Sequence, residues 1–486
     1  MYEAGNRLSV SGGYATITTM SIIRTRFAPS PTGDLHLGNA RTALYAALLA
    51  RAAEGAFLLR IEDTDAARSL PAHEASLMAD LRWLGLNWDE GPDRGGPHGP
   101  YRQSEREPYY TEFYARLEAE GRAYPCFCTE EELERRRALQ RAAGQPPRYS
   151  GTCAALSRAE IEARQTQAGT LTSLRLRVPP RLTLEFADLV RGPQVFRSDD
   201  LGDFVIRRSD GSPSFLFANA VDDALMGVTH VLRGADHISN TPRQLLILTA
   251  LGLSVPQYGH LSLILGADGA PLSKRHGARS LGELRKTGYL PEAVLNHLAR
   301  LGHPYGETGL LSLDQLAAAF MPKHLGAAPA HHDEGALRHW QREALAAADW
   351  TRLWEWLPAE VHALVPKADR EPFVTAVRPN LLLPSDGAYW ARAIYTENLE
   401  STAEARAAVT AASAAFYGAA LEVLSGHGGD FKSFTEALKK ITGTRGPALF
   451  HPLRAALTGT LAGPELARLW KLIPTEQIRQ RLAAGT

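Results

Sequence analysis

Residues 22–27 alternate apolar and basic side chains and stop at a Pro-rich turn, Ala28-Pro29-Ser30-Pro31-Thr32-Gly33. That pattern predicts a strand running into a loop. Helical spacing follows over 36–54, carried by Ala40, Leu44, Ala47, Leu48 and Arg51. A second short apolar run, 57–61, ends in Glu62-Asp63-Thr64-Asp65. Strand, helix and strand make the βαβ unit of a parallel sheet. Such sheets bind ligands at the carboxyl ends of their strands. The Pro-rich turn and the acidic cluster both fall there.

Further on, 91–100 is a loop rich in Gly and Pro, and 105–120 and 129–140 have helical character. Residues 174–178 and 195–205 read as strands of an insertion, and 215–223 and 228–232 return to core-like sequence. From about Pro256 the pattern turns mostly helical, with helices over 281–286, 291–301 and 313–320. From about Ala336 the chain is rich in alanine, leucine and arginine, which predicts an all-helical region with breaks near 379–387 and 426–430. The fold class is therefore α/β, a parallel-sheet core interrupted by an insertion and followed by helices. Residues 1–20 lack the apolar core of a signal peptide. They are expected to be a disordered extension, with Met20 a candidate start.

A length of 486 residues calls for several domains. With 44% hydrophobic and 22% charged residues the composition is that of a globular chain, and no apolar run suits a membrane span. Lys and Arg equal Asp and Glu at 53 each, so a nucleic-acid partner would need local positive charge. Such charge occurs at Arg135, Arg136, Arg137, Arg141 and Arg148, and again at Lys432, Lys439, Lys440 and Arg445. The three cysteines, Cys126, Cys128 and Cys153, form one cluster. An odd, clustered set argues against a disulfide framework and for a metal site. Three thiolates would leave one tetrahedral position on Zn²⁺ outstanding. Three free buried thiols are the plainer alternative.

Two stretches carry candidate chemistry. The first, 26–39, ends in His36-Leu37-Gly38-Asn39. A turn there would deliver the chain into a helix N-terminus, whose free N–H groups and dipole favour phosphate. His36 adds a donor, and Gly38 lets an adenine ring or sugar approach the backbone. An ordinary turn with a capping histidine would leave the same short pattern. The second is Pro271-Leu272-Ser273-Lys274-Arg275-His276-Gly277. A mobile loop with Lys274 and Arg275 can close over a triphosphate and stabilise charge on leaving pyrophosphate. Alone, a short basic loop reads equally as solvated surface.

In this order the stretches resemble the HIGH and KMSKS signatures of class I aminoacyl-tRNA synthetases, at His36-Leu37-Gly38-Asn39 and Pro271-Leu272-Ser273-Lys274-Arg275. Segments 26–33, 60–65, 99–105, 219–228, 231–237, 240–244 and 452–459 resemble the bacterial glutamyl-tRNA synthetases in particular, and the likeness spans 22–475. The resemblance implies a Rossmann-like catalytic domain in two halves, 21–108 and 207–255. Between them, 109–206 is an α+β insertion for the tRNA acceptor end, with the zinc site. A mostly helical stem-contact region, 256–335, holds the KMSKS-like loop, and 336–486 is an all-α anticodon-binding domain.

The implied activity is ATP-dependent formation of glutamyl-adenylate and transfer of glutamate to the 3′-terminal adenosine of tRNA. Arg26 and Arg233 resemble the arginines that hold substrate carboxylates, which suits the planar guanidinium fork. Glu62 would answer the ammonium, although Arg26 and Glu62 could instead form a structural ion pair. Ala28, Ser30, Phe215 and Asn219 complete the implied amino-acid contacts. His36, Gly38, Asp236 and Lys274 are the implied ATP contacts, with Ser273 and Arg275 beside Lys274. Tyr149 matches the position that completes a Cys126, Cys128, Cys153 zinc site in some relatives. Arg378 matches an anticodon-reading position.

Implied cofactors are Mg²⁺ with the ATP substrate and a structural Zn²⁺. Implied partners are L-glutamate and tRNA(Glu), with tRNA(Gln) an open question. A monomeric, cytoplasmic enzyme with no membrane contact is expected. Pro271, Phe215 and Ala235 depart from the commoner lysine, tyrosine and acid of the family. A catalytically silent tRNA-binding relative and a paralogue that glutamylates a tRNA base remain alternatives.

Overall fold

In the computed structural model the strands, in chain order, are β1 (Arg7–Val10), β2 (Arg24–Phe27), β3 (Ala56–Leu59), β4 (Ala123–Cys126), β5 (Ser173–Leu176), β6 (Thr183–Asp188), β7 (Gly192–Arg197), β8 (Phe204–Arg207), β9 (His230–Gly234), β10 (Gln257–Leu261), β11 (Ile264–Leu265) and β12 (Ala330–His331). The structure describes residues 7–10, 22–65, 67–168, 172–266, 268–272, 279–427 and 430–486. The chain divides into two compact units, Met1–Glu283 with Leu295–Asp333, and Leu284–Val294 with Glu334–Thr486.

The core of the first unit is a parallel sheet in the order β10-β9-β2-β3. Its strands are short and buried, as both faces of a parallel sheet require: Phe57, Leu58 and Leu59 in β3 and Val231 and Leu232 in β9 are all inside. Helix Leu37–Ala52 links β2 to β3 and packs on β2, β3 and β9. Nearly all of its turns are buried, with Ala40, Ala43, Leu44, Ala46, Ala47 and Leu48 inside, because helix Leu313–Ala319 covers another side. The Thr25 hydroxyl donates to the Ala46 carbonyl at 2.8 Å and fixes strand against helix. Helix Thr241–Leu251 makes the second crossover, from β9 to β10. The two middle strands, β9 and β2, carry Arg233 and Arg26, buried near their carboxyl ends. Chain reversal through helices thus brings residues far apart in sequence to neighbouring strand ends.

The intervening segment folds into an antiparallel sheet, β4-β5-β8, and supplies β6 and β7 of a second sheet, β1-β6-β7. Three expectations are corrected here. Residues Arg7–Val10 lie inside the supposed disordered extension, yet they pair in parallel with β6 and bury Leu8, because β6 offers an open hydrogen-bonding edge. The supposed strand over 195–205 is two strands, β7 and β8, separated by a helical turn, Ser198–Leu201, that ends at Gly202 with φ 61°. The supposedly helical region after Pro256 begins with β10, whose apolar pattern is broken by the buried His260.

The second unit is helical. The supposed break over 379–387 is narrower, since helix Pro384–Tyr395 starts with Pro384 in its first turn and includes Gly387. Leu284–Val294 belongs to this unit rather than to one intact 256–335 region. The physical tie is the buried Gln341 amide, which accepts from the Leu290 N–H at 2.9 Å and donates to the Gly288 carbonyl at 3.2 Å. Trp356 Nε1 donates to the same carbonyl at 2.8 Å. Among the described residues no single helix is long and apolar enough to cross a membrane.

Candidate active site

At the carboxyl ends of β2 and β9 the first unit encloses a cavity of about 450 Å³. It is lined by ten of the residues singled out in the sequence: Arg26, Ala28, Ser30, His36, Gly38, Glu62, Phe215, Asn219, Arg233 and Asp236. Ser273, Lys274 and Arg275 lie outside the described residues. Pro271 and Leu272, just before them, line the cavity. On the far side of the segment, Ser280 bridges His36, and the Leu281 N–H donates to the Leu35 carbonyl at 2.8 Å. Arg378 belongs to the helical unit, at the start of a turn, Arg378–Asn380.

One wall is the N-terminus of helix Leu37–Ala52. His36 is its extended N-cap residue (φ −102°, ψ 166°), and its side chain makes no capping hydrogen bond. No acid sits in the first turn, so the helix end presents unopposed positive potential. A Cβ on Gly38 would stand 3.4 Å from His36 Nδ1, so glycine leaves the imidazole its place.

The floor is a buried polar network. Arg26 Nε donates to Asp223 Oδ1 at 3.0 Å, and Arg60 Nη1 reaches the same oxygen at 2.8 Å. Arg60 Nη2 donates to Glu62 Oε1 at 3.2 Å, and Asn219 Nδ2 donates to that oxygen at 2.6 Å. Gln244 Nε2 donates to Asn219 Oδ1 at 2.8 Å, and Gln244 Oε1 accepts from Arg233 Nη2 at 2.7 Å. The structural ion pair weighed from sequence, Arg26 with Glu62, is therefore not formed, because Asp223 takes Arg26 and Arg60 takes Glu62.

The charges respond to this setting. Burial would raise the Asp223 carboxyl, but Arg26 and Arg60 outweigh it and hold it below the usual carboxylate range. Burial wins at Glu62 and pushes its carboxyl up despite Arg60 and Asn219. Burial lowers the Arg233 guanidinium to about 10. Its Nη1 is buried and without a hydrogen-bond partner among the described residues. Arg233 is one of the residues lining the cavity, and a buried guanidinium nitrogen left over in this way calls for a partner that the described residues do not supply.

Helix Phe215–Leu225 supplies Phe215, Asn219 and Asp223, and the Ser214 hydroxyl caps it. It is apolar apart from Asn219, Asp222 and Asp223, and Asp222 is anchored by Arg106 Nε at 2.6 Å, Tyr110 at 2.7 Å and Gln103 at 2.9 Å. Phe215 packs its ring 5.3 Å from that of His237. Sequence reasoning gives no role to Arg60, Asp188, Asp223, Gln244 or His260. The available signal is a charged or amide side chain inside an apolar run, which burial obliges to find a partner.

A separate cluster unites Cys126, Cys128, Cys153 and Tyr149. The three sulfurs lie within 4.8 Å of one another, with Cys128 and Cys153 at 3.8 Å. The Tyr149 hydroxyl is 3.4 Å from Cys126 Sγ and 3.5 Å from Cys128 Sγ. Zn–S bonds of about 2.3 Å in a tetrahedron place sulfurs about 3.8 Å apart, so the donor set fits Zn²⁺. Burial raises the Cys126 thiol, but Tyr149 and Arg175 reverse this and bring it to about 7.

A parallel sheet with a helix N-terminus and a cationic cavity at its strand ends is the arrangement in which the class I tRNA synthetase match falls. Residues 22–339 match the family of class I tRNA synthetases (E and Q), catalytic domain, and 354–486 match the anticodon binding domain. The chain belongs to the glutamate–tRNA ligases of that family. It is 56% identical to "Glutamate--tRNA ligase 2" of Nitrosococcus oceani, over 95% of this chain and 97% of that protein. It is 54% identical to "Glutamate--tRNA ligase 2" of Alkalilimnicola ehrlichii, over 96% and 98%. A solved glutamate tRNA ligase from Elizabethkingia meningosepticum, in complex with its amino acid, superposes with a TM-score of 0.87 at 28% identity, covering 96% of this chain and 99% of that one.

Proposed function

We propose that the chain joins L-glutamate to ATP in the first unit's cavity and passes the glutamyl group to the terminal adenosine of tRNA(Glu). The observation that carries this reading is Arg233, a buried cation whose Nη1 has no partner among the described residues, facing a cavity that also holds Arg26 and Glu62. Among the described residues, the charged side chains lining the cavity are Arg26, Arg41 and Arg233 against Glu62 and Asp236. One excess positive charge complements glutamate, which carries two carboxylates and one ammonium.

In this reading Arg26 and Arg233 hold the carboxylates. Glu62 faces the ammonium: its Oε1 is taken by Arg60 and Asn219, and Oε2 has no hydrogen bond among the described residues. Ala28, Ser30, Phe215 and Asn219 close around the substrate. His36, Gly38, Asp236 and the free N–H groups of helix Leu37–Ala52 receive ATP, which enters with Mg²⁺. Lys274, with Ser273 and Arg275, covers the phosphates. Support for this comes from the flanks of the segment, Leu272 at the cavity and Ser280 at His36.

An oxygen of the substrate α-carboxylate bonds to the α-phosphorus, and the bond to the bridging oxygen of pyrophosphate breaks. The tRNA 2′-hydroxyl then attacks the anhydride carbonyl, AMP leaves with the electron pair, and the hydroxyl proton is released. No protein nucleophile is needed; positioning and fixed positive charge lower the barrier.

Cys126, Cys128, Tyr149 and Cys153 would hold a structural Zn²⁺, whose contribution when bound is to cross-link β4 to the 149–153 turn. Arg378 is assigned to anticodon contact on family likeness, and a monomeric, cytoplasmic enzyme is part of the same reading. Aminoacylation of separately purified tRNA(Glu) and tRNA(Gln) with labelled L-glutamate tests it. Charged tRNA(Glu) is expected. A folded chain that binds tRNA but charges neither would be a silent relative, and charging of tRNA(Gln) too would mark a non-discriminating enzyme.

A further inference from the structure

Behind Arg233, on the side away from the cavity, stands a buried pair with no part in the chemistry above. His260, on β10, is fully buried, and Asp188, at the end of β6, is nearly so. The Asp188 Oδ2 to His260 Nδ1 distance is 2.5 Å. On the other side of the ring, Nε2 lies 3.2 Å from Arg233 Nε and 3.0 Å from the Thr241 hydroxyl. Burial would raise the Asp188 carboxyl, but His260 and backbone N–H groups hold it below its usual range, so it is an acceptor. Arginine stays protonated, so Arg233 Nε–H is a donor. Both neighbours therefore require one tautomer: the proton on Nδ1 and the lone pair on Nε2.

We propose that Asp188 and His260 are positioning residues for glutamate recognition, in which Asp188 fixes the His260 tautomer so that Nε2 accepts from Arg233 and aims its free Nη1 at a substrate carboxylate. This rests on the function proposed above. The guanidinium is constrained at three points: Nε by His260, and Nη2 by Thr241 at 2.8 Å and Gln244 at 2.7 Å. Among the described residues, only Nη1 is left without a partner. A fork held this way loses little freedom when an anion arrives. Asp188 lies in the β1-β6-β7 sheet, so the inserted sheet sets the geometry of the amino-acid site without entering it.

The geometry supplies an isosteric test, Asp188→Asn. Asp188 Oδ1 accepts three backbone N–H groups, from Val190 at 2.9 Å, Arg191 at 2.8 Å and His260 at 3.2 Å. An asparagine must keep its carbonyl oxygen there, which turns its NH₂ toward His260 Nδ1. The histidine proton then moves to Nε2, and donor faces donor at Arg233 Nε. In tRNA-dependent ATP–pyrophosphate exchange, D188N should raise KM for glutamate about tenfold or more, the usual cost of a lost hydrogen bond to a charged group. KM for ATP and turnover at saturating glutamate should stay within about threefold of wild type, since both reflect groups outside the network.

An unchanged KM for glutamate in folded D188N, or an equal rise in KM for ATP, overturns the proposal. Should D188N not fold, ¹⁵N-histidine NMR of the wild-type chain decides, with His260→Gln assigning the signal. A neutral ring protonated on Nδ1 is expected; a ring protonated on Nε2, or on both nitrogens, refutes the inference. Wild-type exchange run alongside tests the parent reading separately: no glutamate-dependent exchange there would remove the function itself.

Discussion

Arg26, Arg60, Glu62 and Asp223 form a buried set in which each charge is answered by another, and Asp223 is its hub. Removing one member of such a set leaves the others uncompensated, which costs more than the set contributes as a whole. Asp223→Asn keeps the shape but leaves two guanidiniums facing a neutral amide. It should destabilise the chain by about 3 kcal/mol in denaturant unfolding and raise KM for glutamate through Arg26. Unchanged stability would show that water already compensates these charges. That Arg26, Glu62 and Arg233 share one site was legible in the sequence because their motifs resemble a family's, and the three do line one cavity. Asp223, Gln244 and His260 were not, since a partner 197 residues away, as Arg26 is to Asp223, leaves no local trace. The carboxylates in the apolar run 215–225 nevertheless announce that some cation must be buried with them.

At the level of elements, close approach matters as much as side-chain chemistry. A Cβ on Gly55 would stand 2.0 Å from the Ile23 carbonyl oxygen, which accepts the Ala56 N–H at 2.9 Å where β3 meets β2. Gly55→Ala should therefore push the two strands apart and cost about 1–3 kcal/mol, read as a lower thermal midpoint. Equal midpoints would mean that the strands yield without loss. Around Cys126, Cys128, Tyr149 and Cys153 the expected outcome is about one zinc per purified chain by elemental analysis, with chelation lowering the thermal midpoint. A content well below one would leave three buried thiols. The first βαβ unit was legible because its apolar spacing is regular and its turns carry proline. β10 was not, because Gly259 and His260 interrupt its apolar pattern, and the buried Asp188 is what makes a histidine acceptable there. β1 was missed because its pairing is supplied by a distant edge rather than by its own sequence.

For the whole molecule, the order of strands builds the candidate site: neighbouring β2 and β9 bring Arg26 and Arg233 to one cavity, and the helix after β2 adds its N-terminus to the lining. Domain order was legible from the shift to alanine, leucine and arginine after 336. The recruitment of Leu284–Val294 into the helical unit was not, because it depends on side chains more than fifty residues further on, Gln341 and Trp356 among them. The central claim is that the cavity's excess positive charge and the unpartnered Arg233 Nη1 select a dicarboxylic amino acid. The most direct measurement is tRNA-dependent ATP–pyrophosphate exchange on the purified chain with L-glutamate and, in parallel, L-glutamine. A glutamine side chain would leave Nη1 without its anion, so kcat/KM should favour glutamate by at least about a hundredfold. Comparable exchange with both amino acids would contradict the account.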